Sequence, residues 1–380
     1  MGGCELDTPK KVLIFYASAG HGHEKAAQAI LESFGDSGKL FSVRAIDTLS
    51  IGCPLLCKFY RQVYFFQLKY VPWLWGMFYY SFDMPLVYFF MKRVRRILNT
   101  LMAKDLEKLL ISENPDVVIC THFTAIEVTS NLKKKNKIRP RLVAVVTDYM
   151  PHYVWTASEV DQYVVALEET RVELARRGAD LQRINVLGIP IEKKFLVRPN
   201  RSEIIRKLGL NERFFTVLVT SGGAGIGAIQ NIVEGLLVLR KPLQMLVVCG
   251  SNKNLRMNLE VRASVDNGLR VFGFVDNMHE LMEASDLVVG KAGGLTITES
   301  FCAGKPVILF QSVPGQEARN AELVRKQGAG FVTDQSKQVV EKIVELSDSP
   351  QKMESLKKGI AAFAKPSAGR DIVQLVENGF

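Results

Sequence analysis

Cysteine is scarce in this chain, with six residues scattered over 380 positions. Only Cys53 and Cys57 lie close together, and no matching Cys or His pair completes a zinc site. This excludes a zinc module or a disulfide framework and favours reduced thiols in a cytoplasmic protein. A signal peptide is not expected either, because residues 1–10 are polar and lead directly into a strand-like run.

Acidic residues are almost missing from one part of the chain. Residues 53–104 hold eight basic side chains and one acid, and so carry +7 of the formal net charge of +10. Such an excess favours an anionic partner, which could be an acidic lipid surface, a phosphorylated substrate or nucleic acid. The composition as a whole, 47% hydrophobic and 23% charged, is ordinary for a folded globular protein and excludes extended disorder.

Within this basic region, residues 71–91 contain a single charge, Asp83, and are long enough to span a membrane. Pro72 and Pro85 would interrupt such a helix, however, and Trp, Tyr and Phe favour the headgroup boundary over the hydrocarbon centre. We therefore predict an interfacial membrane anchor, with filling of an ordinary core as the alternative. The residues expected to contact the membrane include Trp73, Trp75, Arg93, Arg95 and Arg96.

Short apolar runs alternate with segments of helical period, which predicts an α/β fold with parallel sheets. The runs are Val12–Tyr16, Val117–Cys120, Leu142–Val146, Thr216–Thr220, Met245–Cys249, Leu287–Val289 and Pro306–Phe310. A polar, proline-containing stretch at residues 195–205 separates two such series. We predict domains at residues 1–198 and 199–360, with a helix in residues 361–380 that packs back on the first domain.

Three glycine-rich turns each follow a predicted strand and precede a helix. The first, Ala17–His23, places His23 where imidazole could act as an acid or base, with His21 as a weaker candidate. The second contains Gly222, Gly223 and Gly225 and predicts a pyrophosphate site. It lacks both the full GxGxxG spacing and the acidic residue of a dinucleotide fold, which excludes NAD.

The third turn, Lys291–Ser300, has Gly294 at a predicted helix start, Thr296 as a possible cap and Glu299 inside the first turns. A carboxylate there could bind both ribose hydroxyls. Gln316 and Glu317 follow the next strand and should stand at the carboxyl edge of the same sheet.

Together these motifs resemble the monogalactosyldiacylglycerol synthase and processive diacylglycerol glucosyltransferase group, within the wider family that includes the peptidoglycan N-acetylglucosaminyl transferase. The resemblance covers essentially the whole chain. It is carried by Gly20–His23, Val146–Trp155, Val186–Ile191, Gly222–Gly227, Lys291–Ser300 and Pro314–Asn320. His21 departs from the pattern, because relatives commonly carry Gly or Asn there.

The resemblance implies a GT-B fold, in which two Rossmann-like domains face each other across a cleft, and an inverting transfer of hexose from UDP-glucose or UDP-galactose to diacylglycerol or glycosyl-diacylglycerol. It makes His23 or Asp148 the base and places His152 and Trp155 on the acceptor side. Glu299 would bind the ribose, Thr296 and the glycine loop the pyrophosphate, and Gln316 with Glu317 the sugar hydroxyls. The protein would act on the cytoplasmic face of the membrane, where it would bind anionic lipids. It would not bind nucleic acid.

No Asp-x-Asp occurs in the sequence, which agrees with a reaction that needs no cofactor or metal. A polyprenyl-linked acceptor is the alternative among transferases. A UDP-sugar 2-epimerase could share the architecture but has no use for the aromatic, basic insertion. A non-enzymatic membrane-binding or nucleic-acid-binding module would explain the charge and leave the three glycine turns unexplained.

Overall fold

The computed structural model describes residues 9–18, 21–51, 71–84, 87, 104–220, 222–223, 225, 228–361 and 363–379. The chain divides into two compact units, Met1–Lys193 with Lys365–Phe380, and Lys194–Ala364. This division lies close to the junction expected from the sequence, and the C-terminal segment belongs to the first unit. The assignment of acceptor and donor binding to separate domains remains a prediction.

The first unit contains one parallel sheet of six strands in the order β2-β1-β3-β4-β5-β6. Its strands are β1 (Lys10–Tyr16), β2 (Phe41–Asp47), β3 (Val117–Cys120), β4 (Arg141–Val145), β5 (Gln162–Val165) and β6 (Ile184–Val186). The chain first moves to one side of β1 and later returns to its other side. The carboxyl ends of β1 and β3 therefore form a topological switch point, where open α/β sheets bind ligands.

The second unit repeats this plan in the order β12-β11-β10-β7-β8-β9. Its strands are β7 (Phe215–Thr220), β8 (Leu243–Val248), β9 (Leu269–Phe272), β10 (Leu287–Gly290), β11 (Val307–Phe310) and β12 (Gly330–Thr333). Here the switch point lies at the carboxyl ends of β7 and β10. The predicted α/β fold with two parallel sheets is confirmed.

Helices cover the sheets because their apolar residues recur at helical spacing. In the first helix, for example, Ala26, Ala27, Ile30 and Phe34 are buried. In chain order the helices are α1 (His21–Phe34), α2 (Thr48–Ile51), α3 (Pro72–Phe82), α4 (Lys104–Glu113), α5 (Phe123–Lys134), α6 (Glu168–Arg176), α7 (Arg201–Lys207), α8 (Ile229–Val238), α9 (Lys253–Ala263), α10 (Met278–Ala284), α11 (Gly294–Cys302), α12 (Gln316–Lys326), α13 (Ser336–Ser347), α14 (Pro350–Ile360) and α15 (Ala368–Glu377). Ile372, Val373 and Val376 of α15 join the same buried cluster as Ile30 of α1.

Part of the aromatic segment is described, and it forms α3. Trp73, Met77 and Tyr80 of this helix are exposed. Arg93, Arg95 and Arg96 lie outside the described residues, as does the Trp75 side chain. Within the described ranges, none of the helices combines the length and apolar character needed to cross a membrane.

Candidate active site

His23 lies at the switch point of the first sheet, three residues into α1, which follows β1. Its Nδ1 atom is 2.6 Å from the carbonyl oxygen of Thr121, the residue that follows β3. A carbonyl oxygen only accepts hydrogen bonds, so Nδ1 carries the proton and donates it to this bond. Nε2 then keeps its lone pair and is the basic atom of the ring. The Thr147 hydroxyl oxygen lies 3.0 Å from the same Nδ1 atom.

The protonation state of His23 is set mainly by its surroundings. Loss of solvent contact lowers its pKa to about 4, although the bond to the Thr121 carbonyl acts in the opposite direction. The ring is therefore neutral near pH 7 and can accept a proton. His21, by contrast, is exposed, and its Nδ1 lies 3.7 Å from a carboxylate oxygen of Glu24.

Another histidine, His122, is buried beside His23, and no sequence motif pointed to it. The two ring centroids are 4.9 Å apart in an edge-on arrangement. The Nδ1 atom of His122 accepts a bond from the Thr124 amide and so caps α5. Burial lowers the pKa of His122 well below its usual value. Its place two residues after the end of β3 could have identified it, because ligands bind at that edge of the sheet.

Asp148, the other predicted base, follows β4 and is buried. Burial raises its pKa to about 7, while a hydrogen bond donated by Trp155 Nε1 at 3.4 Å acts against that rise. The Trp155 ring lies beside the His23 ring, with 6.4 Å between centroids. The structure thus brings His23, Asp148 and Trp155 together. Near pH 7 the His23 ring is neutral, and the Asp148 carboxyl is near the midpoint of its titration.

His152 is also buried, and its contacts connect the loop after β4 to α3. Its Nδ1 accepts a bond from the Val154 amide at 3.2 Å, which leaves the proton on Nε2. Nε2 lies 3.1 Å from the Tyr79 carbonyl oxygen and 3.6 Å from Asp83 Oδ1. The role of His152 on the acceptor side remains a prediction.

In the second unit, the glycine loop follows β7 at that sheet's switch point. Gly222 and Gly225 have φ angles of +67° and +59°. A Cβ atom on Gly225 would lie 2.0 Å from the Cys249 carbonyl oxygen, so only glycine fits there. The Ser251 amide donates to the Gly223 carbonyl at 2.9 Å and ties this loop to the loop after β8.

The helix α11 follows β10, and β10 is the neighbour of β7 in the sheet. The start of α11 and the glycine loop after β7 therefore follow adjacent strands. Its N-cap is Gly293, and no side chain caps it. The prediction that Thr296 is the cap is therefore wrong. Two consecutive glycines let the helix begin at Gly294, which makes Thr296 its third residue. The amide groups of this first turn suit a phosphate, and Glu299 stands one turn further along.

Gln316 and Glu317 open α12, which follows β11. A carboxylate oxygen of Glu317 accepts a bond from the Val313 amide at 2.8 Å, and burial raises the pKa of this group. Asn320 lies in the same helix without a sequence signal of its own, and its buried amide donates to the Ala292 carbonyl at 3.1 Å. That bond links α12 to the loop that precedes α11. The described residues contain no group of three or more His, Cys, Asp or Glu side chains arranged to hold a metal ion.

Comparison with known proteins finds two family models that match separate parts of the chain. Residues 23–191 match the monogalactosyldiacylglycerol (MGDG) synthase model, and residues 216–372 match the glycosyltransferase family 28 C-terminal domain. The processive diacylglycerol beta-glucosyltransferase of Bacillus mycoides is 30% identical over 96% of this chain and 93% of its own. The protein of that name from Bacillus pumilus is 29% identical over 97% of this chain and 95% of its own.

Solved structures share the fold at low sequence identity. Anabaena HepE in complex with UDP-glucose has a TM-score of 0.58 at 15% identity, over 97% of this chain and 99% of that one. Acinetobacter baumannii MurG has a TM-score of 0.61 at 13% identity, over 97% and 100%. Staphylococcus aureus MnaA with UDP has a TM-score of 0.64 at 13% identity, over 97% and 96%. At these identities the likeness concerns the fold alone.

Proposed function

The chain belongs to the family of the processive diacylglycerol beta-glucosyltransferases, and we propose that it transfers a hexose from a UDP-sugar to diacylglycerol or glycosyl-diacylglycerol. The observation that carries this proposal is the end-to-end match to relatives of that name. The positions of His23 and of the two glycine-rich turns at the switch points support it.

We assign the role of general base to His23. Nε2 removes the proton from the acceptor hydroxyl while that oxygen attacks the anomeric carbon. The new carbon–oxygen bond forms as the bond to the UDP oxygen breaks, and UDP leaves from the opposite face, which inverts the anomeric centre. The Thr121 carbonyl favours this assignment, because it fixes the tautomer and stabilises the imidazolium that forms. Asp148 is the alternative base, since a pKa of about 7 also suits proton transfer.

The second unit is proposed to hold the UDP-sugar. The glycine loop and the first turn of α11 supply amide groups for the pyrophosphate, whose developing charge they stabilise as UDP leaves. Glu299 would accept bonds from the ribose hydroxyls, and Gln316 with Glu317 would contact the hexose. In this scheme no step uses a metal ion or another cofactor.

The acceptor is insoluble, so the enzyme must meet it at a membrane. We propose peripheral binding to the inner face of the cell membrane through α3 and the basic residues around it. The exposed Trp73, Met77 and Tyr80 side chains suit the headgroup boundary. The +7 charge of residues 53–104 would attract anionic lipids. Nucleic acid is not part of the proposal.

The test measures labelled hexose that reaches the organic phase from UDP-glucose or UDP-galactose, with diacylglycerol in mixed micelles. We expect a labelled glycolipid with one of the donors and its loss in His23→Ala. His21→Ala is the matched control, because that side chain is exposed. Absence of lipid product from both donors would refute transfer to diacylglycerol, and the same assay with a polyprenyl-linked sugar would then test the other acceptor class.

A further inference from the structure

The helix α3 has two faces with different surroundings. Trp73, Met77 and Tyr80 recur at intervals of four and three residues, so they share one face, and all three are exposed. We call these three residues the apolar stripe. A different face carries Tyr79, whose ring packs edge-on against His152 with centroids 4.9 Å apart. The helix therefore attaches to the first unit through one face and presents apolar side chains on another.

The attachment centres on Asp83, the C-cap residue that follows α3. Its two carboxylate oxygens accept bonds from Arg177 at 2.8 and 3.0 Å, across 94 residues of sequence. Both side chains are less than a tenth exposed. Arg177 is the C-cap residue of α6, and its guanidinium also lies 2.8 Å from a carboxylate oxygen of Glu173. A buried bidentate pair of this kind strongly restricts the orientation of its partners.

The same carboxylate also reaches the candidate acceptor site. Asp83 Oδ1 accepts a bond from the Tyr153 amide at 3.4 Å, and the Arg177 guanidinium lies over the Tyr153 ring at 4.8 Å. Tyr153 begins the short turn that ends at Trp155. Trp155 in turn donates to Asp148 and lies beside His23. Asp83 therefore connects the apolar stripe to the residues around the proposed base.

We propose that Asp83 and Arg177 are positioning residues that hold the Tyr153–Trp155 turn in a fixed place relative to the membrane on which the apolar stripe rests. This inference rests on the proposed transfer to diacylglycerol. A diacylglycerol in a bilayer reaches His23 only when the acceptor side stands at the correct height and angle above the surface. A dissolved acceptor approaches from water, so the connection matters much less for it.

The experiment compares two acceptors with Asp83→Asn. One acceptor is long-chain diacylglycerol in vesicles of phosphatidylcholine and phosphatidylglycerol, and the other is a short-chain diacylglycerol kept below its critical micelle concentration. We expect kcat/KM on vesicles to fall about tenfold, while transfer to the dissolved acceptor stays within about twofold. Co-sedimentation with vesicles should not change, because the apolar stripe is intact. Asp105→Asn, an exposed aspartate on α4, is the matched control.

A second variant guards against damage from an unpaired buried charge. Asp83→Asn combined with Arg177→Met removes both members of the pair, and the same selective loss on vesicles is expected. An equal loss with both acceptors would show a purely structural role and overturn the inference, as would unchanged activity on vesicles. If the wild-type protein glycosylates neither acceptor, that result refutes the proposed transfer to diacylglycerol, and with it the inference about Asp83 and Arg177.

Discussion

Replacing Asp148 by Asn should change how the stability of the first unit depends on pH. The two side chains have nearly the same size, and the amide oxygen can still accept the bond from Trp155 Nε1. The substitution therefore removes the titration of Asp148 and keeps an acceptor for the Trp155 bond. In the wild-type protein, burial raises the pKa of Asp148 from 3.8 to about 7. The folded state thus holds this proton more tightly than the unfolded state does.

The sign and size of the effect follow from that difference. The stabilisation linked to Asp148 is fully present below its unfolded pKa and is lost as the pH rises through the folded pKa near 7. A shift of about three pKa units corresponds to about 4 kcal/mol at 1.36 kcal/mol per unit. Between pH 4 and pH 8, the free energy of unfolding of the wild type should therefore fall by up to about 4 kcal/mol relative to Asp148→Asn.

Tryptophan fluorescence is a selective probe for this measurement. The three tryptophans of the chain, Trp73, Trp75 and Trp155, all belong to the first unit. Urea unfolding followed at several pH values would thus report that unit, and groups common to both proteins cancel in the difference. Asp105→Asn, an exposed aspartate, controls for charge removal. Parallel stability curves for the wild type and Asp148→Asn would refute the burial argument.

Four further outcomes follow from the site geometry. His23→Ala should lower kcat by about 10²–10⁴-fold, with the KM for the UDP-sugar within about twofold of the wild-type value. His21→Ala should leave both constants nearly unchanged. Equal losses of kcat in the two variants, measured by steady-state kinetics, would contradict the assignment of His23 as the base. Gly225→Ala should abolish UDP binding in calorimetry, because its Cβ meets the Cys249 carbonyl. Gly222→Ala meets no atom within 4 Å and should cost only about 1–2 kcal/mol of backbone strain. Glu299→Gln should weaken UDP binding about tenfold or more and reduce the preference over 2′-deoxy-UDP; an unchanged preference would remove Glu299 from the ribose site. Transfer should persist in excess EDTA, and a loss restored by a divalent cation would contradict the metal-free mechanism.

The strands that were predicted are largely buried on both faces. Val12–Tyr16 and Val117–Cys120 read as continuous apolar runs because they lie in the interior of their sheet. The strands β2, β5, β6, β9 and β12 were missed, and all of them except β5 are edge strands. An edge strand is partly exposed, as the alternating burial of Phe41–Asp47 shows, so it carries polar residues that interrupt the apolar pattern.

The candidate site divides along similar lines. His23, Glu299 and Gln316 could be proposed because each follows a strand at a turn that local sequence makes recognisable. His122 also follows a strand, but no glycine turn marks it. Thr296 was misplaced as a cap because two adjacent glycines allow the helix to begin earlier than its side chains indicate.

The sequence by itself determined the α/β class, the succession of glycine turns and helices, and the basic, aromatic character of residues 53–104. These features depend on periodicity and local backbone preference, which neighbouring residues carry. Only the tertiary structure decided that Asp83 pairs with Arg177 and that Asn320 bonds to the Ala292 carbonyl. It also decided that burial moves the pKa values of His23 and Asp148 in opposite directions. Burial disfavours the charged form of each group, and that effect depends on packing between residues that are distant in the chain.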